Sequence, residues 1–292
     1  MWRQLAITVD ETSAEPVSDL LSSLGAVSVS FEDAGDQPLF EPKPGETPVW
    51  RQTKVLGLFD ADADTDRIRN SVVNRFGERV LQCQVEDLED RVWERAWLDH
   101  FQPMRFGRRL WICPTGFEPP EPEAVNVVLD PGLAFGTGTH PTTALCLEWL
   151  DAHDLEGKTV IDYGCGSGIL AVAALKLGAS MAYGIDIDPQ ALTASDENAR
   201  KNGVEGNLAL GYPREFSGLH ADLLIANILA TPLIKLAAEI SEKVLPGGSL
   251  ALSGILATQV DAVRSAYASE FDFSLPVLRE EWALLAGVKI RG

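Results

Sequence analysis

The chain has 292 residues, 46% of them hydrophobic, and a formal net charge of −19. That length allows two domains with a sizeable core, and the composition excludes a disordered or fibrous chain. So acidic a surface repels a phosphate backbone at long range, which argues against DNA as a direct partner and suits a basic protein or solubility alone.

The acid is spread unevenly. Residues 1–90 hold 8 basic and 18 acidic side chains, residues 91–123 hold 5 and 5, and residues 124–292 hold 11 and 20. The apolar run at the N-terminus is too short for a signal peptide. The best apolar stretch, Ile169 to Ile185, is broken by Lys176, Gly178 and Ser180, so no membrane span is expected. Cys83, Cys113, Cys146 and Cys165 have no metal-ligand spacing. They suit reduced thiols in a cytoplasm, with no metal.

The first elements read strand, helix, strand, strand, helix, strand. Leu5, Ile7 and Val9 alternate as a half-buried strand does. Glu15 to Leu24 is helical, with Ser13 as N-cap and Gly25 as the stop. Val27, Val29 and Phe31 alternate again, and a Pro/Gly-rich loop from Gln37 to Pro48 follows. Gln52 to Phe59 is a strand, Thr65 to Phe76 a helix stopped by Gly77, and Val80 to Val85 a strand. That order predicts a ferredoxin-like α+β domain over residues 1–88.

Residues 89–123 form a linker. Glu89 to Phe101 reads as a connecting helix with Trp93 and Trp97 on one face, and connecting strands follow. The stretch Met104 to Trp111 interleaves Arg105, Arg108 and Arg109 with Phe106 and Trp111. Two readings stand open there: a contact for substrate or nucleic acid, or local packing with the arginines paired to nearby acids.

From residue 124 to 292 strands and helices alternate. Strands are expected near Val125–Leu129, Thr159–Ile161, Ala182–Ile185, Leu208–Leu210, Leu223–Ala226 and Ser249–Ser253. Helices fall at Pro141–Asp151, Ile169–Leu177, Pro189–Asn202, Leu229–Val244 and Ala257–Ala268. The pattern means an α/β fold, a doubly wound and mostly parallel sheet with helices on both faces. Phe271–Leu278 and Trp282–Lys289 are expected as an antiparallel pair at its edge.

The most informative run is Val160-Ile161-Asp162-Tyr163-Gly164-Cys165-Gly166-Ser167-Gly168, an apolar strand, an acid and three alternating glycines leading into a helix. Glycines let the backbone take positive φ and let a ligand lie against it, while the helix aims free N–H groups at the same spot. Asp186 ends the next strand about 20 residues on, where a dinucleotide fold places its ribose-binding carboxylate. The dehydrogenase fingerprint wants glycine at the sixth position, where Ile169 stands, and gains nothing from Asp162. A ligand with an ammonium or sulfonium group would gain. Cys165 reads as a nucleophile or as a small residue filling the turn.

Asp162, Gly164, Gly166 and Gly168 resemble the first motif of class I S-adenosylmethionine-dependent methyltransferases. Two further motifs narrow the resemblance. Asp130 to Thr143 is a loop of glycines and hydroxyls leading into a helix, and Ala226-Asn227-Ile228-Leu229 ends a sheet strand. Together with the N-terminal module they resemble the PrmA family, methyltransferases of large-subunit ribosomal protein eleven, over nearly the whole chain.

The resemblance implies S-adenosylmethionine as cofactor, contacted by Thr143, Gly164, Asp186 and Asn227. It places Phe135 to His140 beside the methyl donor, so that Thr139 joins the donor set and Phe135, His140 and Asn227 become catalytic candidates. His140 reads either as a proton acceptor or as a loop histidine that packs or hydrogen-bonds. The implied reaction is methylation, up to trimethyl, of lysine ε-amines and an N-terminal α-amine by a cytoplasmic monomer, with residues 1–88 recognising the ribosomal protein. Enzymes acting on planar bases or amides follow this Asn with two prolines and an aromatic. Here Ile228 and Leu229 favour an aliphatic amine. A nucleic-acid adenine methyltransferase, a nicotinamide dehydrogenase and a non-enzymatic donor-binding scaffold are the rivals.

Overall fold

The computed structural model describes residues 2–35, 50–88, 102–130 and 140–291. The expected loop 37–48, the connecting helix with Trp93 and Trp97, and residues 131–139 lie outside them. The chain divides into two compact units, residues 1–93 and 94–292.

In the first unit, β1 (Trp2–Asp10), α1 (Ala14–Ser23), β2 (Ser28–Asp33), β3 (Gln52–Asp60), α2 (Thr65–Phe76) and β4 (Val80–Leu88) follow the expected order. The sheet runs β2-β3-β1-β4 with antiparallel neighbours. Leu5, Ile7 and Val9 bury one face of β1 against Val17 and Leu21 of α1 and Ile68 and Val72 of α2. Ser13 occupies the cap position of α1, but its hydroxyl makes no cap bond. The Asp10 carboxylate instead accepts from the N–H groups of Thr12 and Ser13, each at 3.0 Å.

The second unit opens with β5 (Met104–Phe106), β6 (Leu110–Cys113) and β7 (Val125–Val128), which form their own three-stranded sheet. The strand expected at Val125 is therefore present but outside the main sheet. It pairs with β6, because β8 already has partners on both of its edges. Arg105 pairs with Glu121 at 3.2 Å and Arg109 with Asp151 at 3.4 Å, so local pairing accounts for these two arginines.

Next come α3 (Pro141–Ala152), β8 (Thr159–Tyr163), α4 (Ile169–Lys176), β9 (Met181–Ile185), α5 (Pro189–Lys201), β10 (Leu208–Gly211) and β11 (Ala221–Asn227). They are followed by α6 (Ala230–Lys235), α7 (Ala237–Glu242), β12 (Val244–Leu256), α8 (Val260–Tyr267), β13 (Phe271–Phe273), β14 (Val277–Arg279) and β15 (Trp282–Lys289). The main sheet runs β10-β9-β8-β11-β12-β15-β13, parallel from β10 to β12. Strand order reverses between β8 and β11, the switch point where open α/β sheets bind ligands at their carboxyl ends. One apolar cluster packs α3 and α4 on one face, and a second packs α6, α7 and α8 on the other.

Two expectations change. The helix foreseen from Leu229 to Val244 is two short helices, because Leu236 departs from helical geometry at φ −96° and ψ 9°. The terminal strands do pair antiparallel, but β15 lies inside the sheet, between β12 and β13. Trp282 to Leu285 are buried in succession, as a strand covered on both faces must be, and the edge falls to three-residue β13.

Asp151, buried at the end of α3, fastens that helix to the β5–β6 turn. Its carboxylate accepts the N–H groups of Arg108 at 2.6 Å and Arg109 at 3.2 Å. Asp151→Ala leaves two backbone donors without their acceptor, so it should lower unfolding stability by about 3 kcal/mol in urea titration. A loss under about 1 kcal/mol would show the turn is held by other means.

Candidate functional site

A cavity of about 470 Å³ opens at the carboxyl ends of β8, β9 and β11. Its floor is the Gly-rich turn, whose Gly164, Gly166 and Gly168 all have positive φ, at 79°, 53° and 74°. The turn is clamped from both sides. The N–H groups of Gly164 and Cys165 both donate to the Ile185 carbonyl, at 2.7 and 3.1 Å. The Ser195 hydroxyl donates to the Gly166 carbonyl at 3.0 Å, and the Asn198 amide to the Ser167 carbonyl at 2.8 Å. A Cβ on Gly164 would strike the Ile228 side chain, and one on Gly168 would lie 2.7 Å from Ser195 Oγ. Side chains at these positions would be strained in φ as well as crowded.

Asp186 lines the cavity just past β9. Its Oδ2 accepts from the Gly166 N–H at 2.9 Å and its Oδ1 from the Asp188 N–H at 3.0 Å. Asp188 caps α5 through Gln190, at 2.9 Å, as its place before Pro189 suggests.

Asp162 sits elsewhere. It is 0% exposed, beneath the turn rather than on the cavity wall. Its Oδ2 accepts from Ala171 N–H in the first turn of α4 at 3.1 Å, and its Oδ1 has no partner among the described residues. Burial pushes its carboxyl up to about 7; the Ala171 bond opposes that rise and the charge on Asp186 adds to it.

Asn227, at the end of β11, and Thr143, in the first turn of α3, both line the cavity. Although 84 residues apart, they touch: Asn227 Nδ2 donates to Thr143 Oγ1 at 3.2 Å. That leaves Asn227 Oδ1, a buried acceptor with no hydrogen bond among the described residues. A buried acceptor of this kind favours a ligand that brings an N–H.

His140 packs and hydrogen-bonds at the start of α3. It is the N-cap of α3, with Nδ1 accepting from Thr142 N–H at 3.3 Å and lying 2.7 Å from Thr142 Oγ1. Its ring meets Trp282 edge-on at 4.8 Å. Burial lowers its pKa, against the pull of Glu280 and Glu281. Its Nδ1 is thus engaged in capping. Phe135 and Thr139 lie outside the described residues.

Cys165 is buried 3.5 Å from Ser195 Oγ, and desolvation raises its thiol pKa, which suits packing and not nucleophilic attack. The sequence reading missed Tyr163 and Glu239. Both line the cavity, and the Tyr163 hydroxyl donates to Glu239 Oε1 at 2.9 Å. They are 76 residues apart with no shared motif, so no local signal joins them. The remaining wall is largely apolar, including Ile187, Leu236 and Pro213. Volume and lining suit a nucleoside-sized organic ligand.

The family model described as "Ribosomal protein L11 methyltransferase (PrmA)" matches residues 1–290. A ribosomal protein L11 methyltransferase of Methylococcus capsulatus is 58% identical over 291 residues, covering 99% of each chain. One from Actinobacillus pleuropneumoniae serotype 5b is 56% identical over 290 residues, again covering 99% of each. Among solved structures, a ribosomal protein L11 methylase from Lactobacillus delbrueckii subsp. bulgaricus superposes with a TM-score of 0.60 at 33% identity. That match covers 65% of this chain and all of the other.

Asp162 gives the site a pH signature. A carboxyl whose pKa is raised on folding contributes stability that is full below its ordinary range and lost as pH rises through about 7. Asp162→Asn keeps the shape without the charge. Its melting temperature relative to the parent should therefore climb between about pH 4 and about pH 8. A difference flat across that window would mean Asp162 does not titrate there.

Proposed function

The chain belongs to the ribosomal protein L11 methyltransferase (PrmA) family, and from that premise we propose how its cavity performs the reaction. It is an S-adenosylmethionine-dependent methyltransferase of ribosomal protein L11. We assign the acceptors to lysine ε-amines and the N-terminal α-amine, taken up to the trimethyl stage, with a cytoplasmic monomer as the acting form.

Bound in the cavity, S-adenosylmethionine supplies an already activated methyl group for in-line displacement, so the protein's work is to position and to desolvate. The Gly164–Gly168 turn presents a backbone that a ligand can approach closely, and Asp186 offers carboxylate oxygens to ribose hydroxyls. Asp162 acts through the turn: it anchors the first turn of α4 and places a carboxylate beneath the cationic ligand. Thr143 holds the Asn227 amide by its nitrogen. Phe135 and Thr139 complete the donor border in this reading.

The observation that carries the proposal is Asn227 Oδ1, buried at the cavity without a partner among the described residues. It accepts an N–H of the incoming amine and turns the nitrogen lone pair toward the methyl. A free lysine has a pKa of ~10.4 and enters protonated. The apolar wall disfavours the ammonium, so the proton passes to solvent as the amine is desolvated. His140 Nδ1 is engaged by the α3 cap, and this reading routes no proton through it. Ile228 and Leu229 offer no ring on which a base could stack. The acidic surface, densest over residues 1–90, suits a basic ribosomal protein.

Intact-mass analysis tests this directly. With S-adenosylmethionine and purified L11, the parent should add mass in steps of one methyl group. Asn227→Ala should cut turnover about 100-fold while S-adenosylhomocysteine binding stays within about fivefold. Unchanged turnover would remove Asn227 from this role. Donor binding without transfer by the parent would leave only a scaffold.

A further inference from the structure

At the end of the main sheet away from β10, β12 takes one edge of β15, and β13 and β14 follow one another along the other. Among the described residues neither has a second strand neighbour, so the outer side of β14 carries unpaired backbone N–H and C=O groups. It is also apolar. Leu275, Val277 and Leu278 are 86%, 54% and 56% exposed, within four residues of chain. Exposed apolar side chains so close together mark an interaction surface. With Pro276 in front and only three residues of strand, β14 is too short a ladder for another sheet. It is long enough for a short extended segment.

The turn from β14 to β15 carries this edge toward the acceptor side of the site. Its two residues, Glu280 and Glu281, are exposed, and their carboxylates have no hydrogen bond or ion pair among the described residues. Trp282, the next residue, meets the His140 ring edge-on at 4.8 Å, and both carboxylates pull the His140 pKa upward against its burial. His140 caps α3, whose Thr143 holds the Asn227 amide. The acidic tip thus adjoins the residues that border the acceptor amide, on the side of β11 away from Gly164 and Asp186. β14 stands three strand spacings from β11, about 14 Å, which about four residues of extended chain span.

We propose that the β14 edge and the Glu280–Glu281 tip dock an extended basic segment of the protein substrate next to its target amine. Apolar side chains of that segment lie on Leu275, Val277 and Leu278, and its cationic ones meet the two carboxylates. The inference deepens the amine reading above and rests on it. Charge selects the occupant. A segment that carries target lysines is cationic, so unpaired carboxylates attract it, whereas they repel a second copy of a chain with net charge −19.

Steady-state methylation of purified L11 decides it, with KM for L11 and kcat read separately. Two double variants are compared with the parent: Leu275→Ser with Leu278→Ser, and Glu280→Gln with Glu281→Gln. In each, KM should rise about tenfold while kcat and S-adenosylhomocysteine affinity stay within about twofold. Added salt should raise the parent's KM more steeply than that of the glutamine variant. The glutamine variant, changed only at exposed turn positions, decides the question should the serine variant fail to fold. A KM within about twofold of the parent's in either folded variant overturns the assignment, and so does a loss confined to kcat. Sedimentation that shows a parental dimer dissolved by the serine changes, with KM unmoved, gives the edge to a second copy and overturns it too. A parent that binds S-adenosylhomocysteine yet adds no methyl to L11 overturns the reading of the function, and this inference with it.

Discussion

The site depends on a backbone turn that can exist only without side chains. Gly164, Gly166 and Gly168 hold positive φ in five residues, and neighbours fill the space where Cβ atoms would stand: Ile228 at the first and Ser195 at the last. The Ile185 carbonyl takes two N–H groups of the turn, and the Asp186 carboxylate takes a third. Three strands and one helix thus converge on the same few atoms. Position at the switch point between β8 and β11 follows from the sheet order. So does the arrangement of Asp186, Gly164 and Asn227 along one edge.

Polar groups are few in this cavity, and most are already partly spoken for. Asp186 is satisfied by two backbone donors, Asn227 Nδ2 by Thr143, and Glu239 Oε1 by Tyr163. What each leaves toward a ligand is acceptor capacity. An apolar wall with acceptors at intervals suits a ligand that is flat and apolar in part and carries N–H and O–H donors at its ends. The same wall disfavours a protonated amine, so the chemistry relies on desolvation more than on a general base. The capping geometry of His140 agrees with that economy.

The buried Asp162 shows a cost of this architecture. A carboxyl with no exposure and one unpartnered oxygen opposes folding when ionised, yet it sits where it can support both the start of α4 and a cationic ligand above. Strained or desolvated groups of this kind gather at functional sites, where other parts of the fold offset them. Here the offset is the packed apolar core on both faces of the sheet.

The order of elements, the glycine turn and the acid ending β9 were all legible in the sequence, because each is a local signal: period-two alternation, glycine spacing, an acid at a strand end. Even the cap at Asp188 could be read from Pro189 after it. Local signals do not say which way a strand's side chains point once both faces are buried, and so Asp162 read as a ligand contact but lies beneath the turn. Nor do they say which free edge a strand will find. β7 joined β6 because β8 was already paired on both sides, and β15 entered the sheet because four consecutive apolar residues need cover on both faces. The Asn227–Thr143 and Tyr163–Glu239 contacts span 84 and 76 residues. The sequence determined which chemical groups were on offer; which of them meet was decided by packing, since pairs so far apart in the chain are brought together only by the whole sheet.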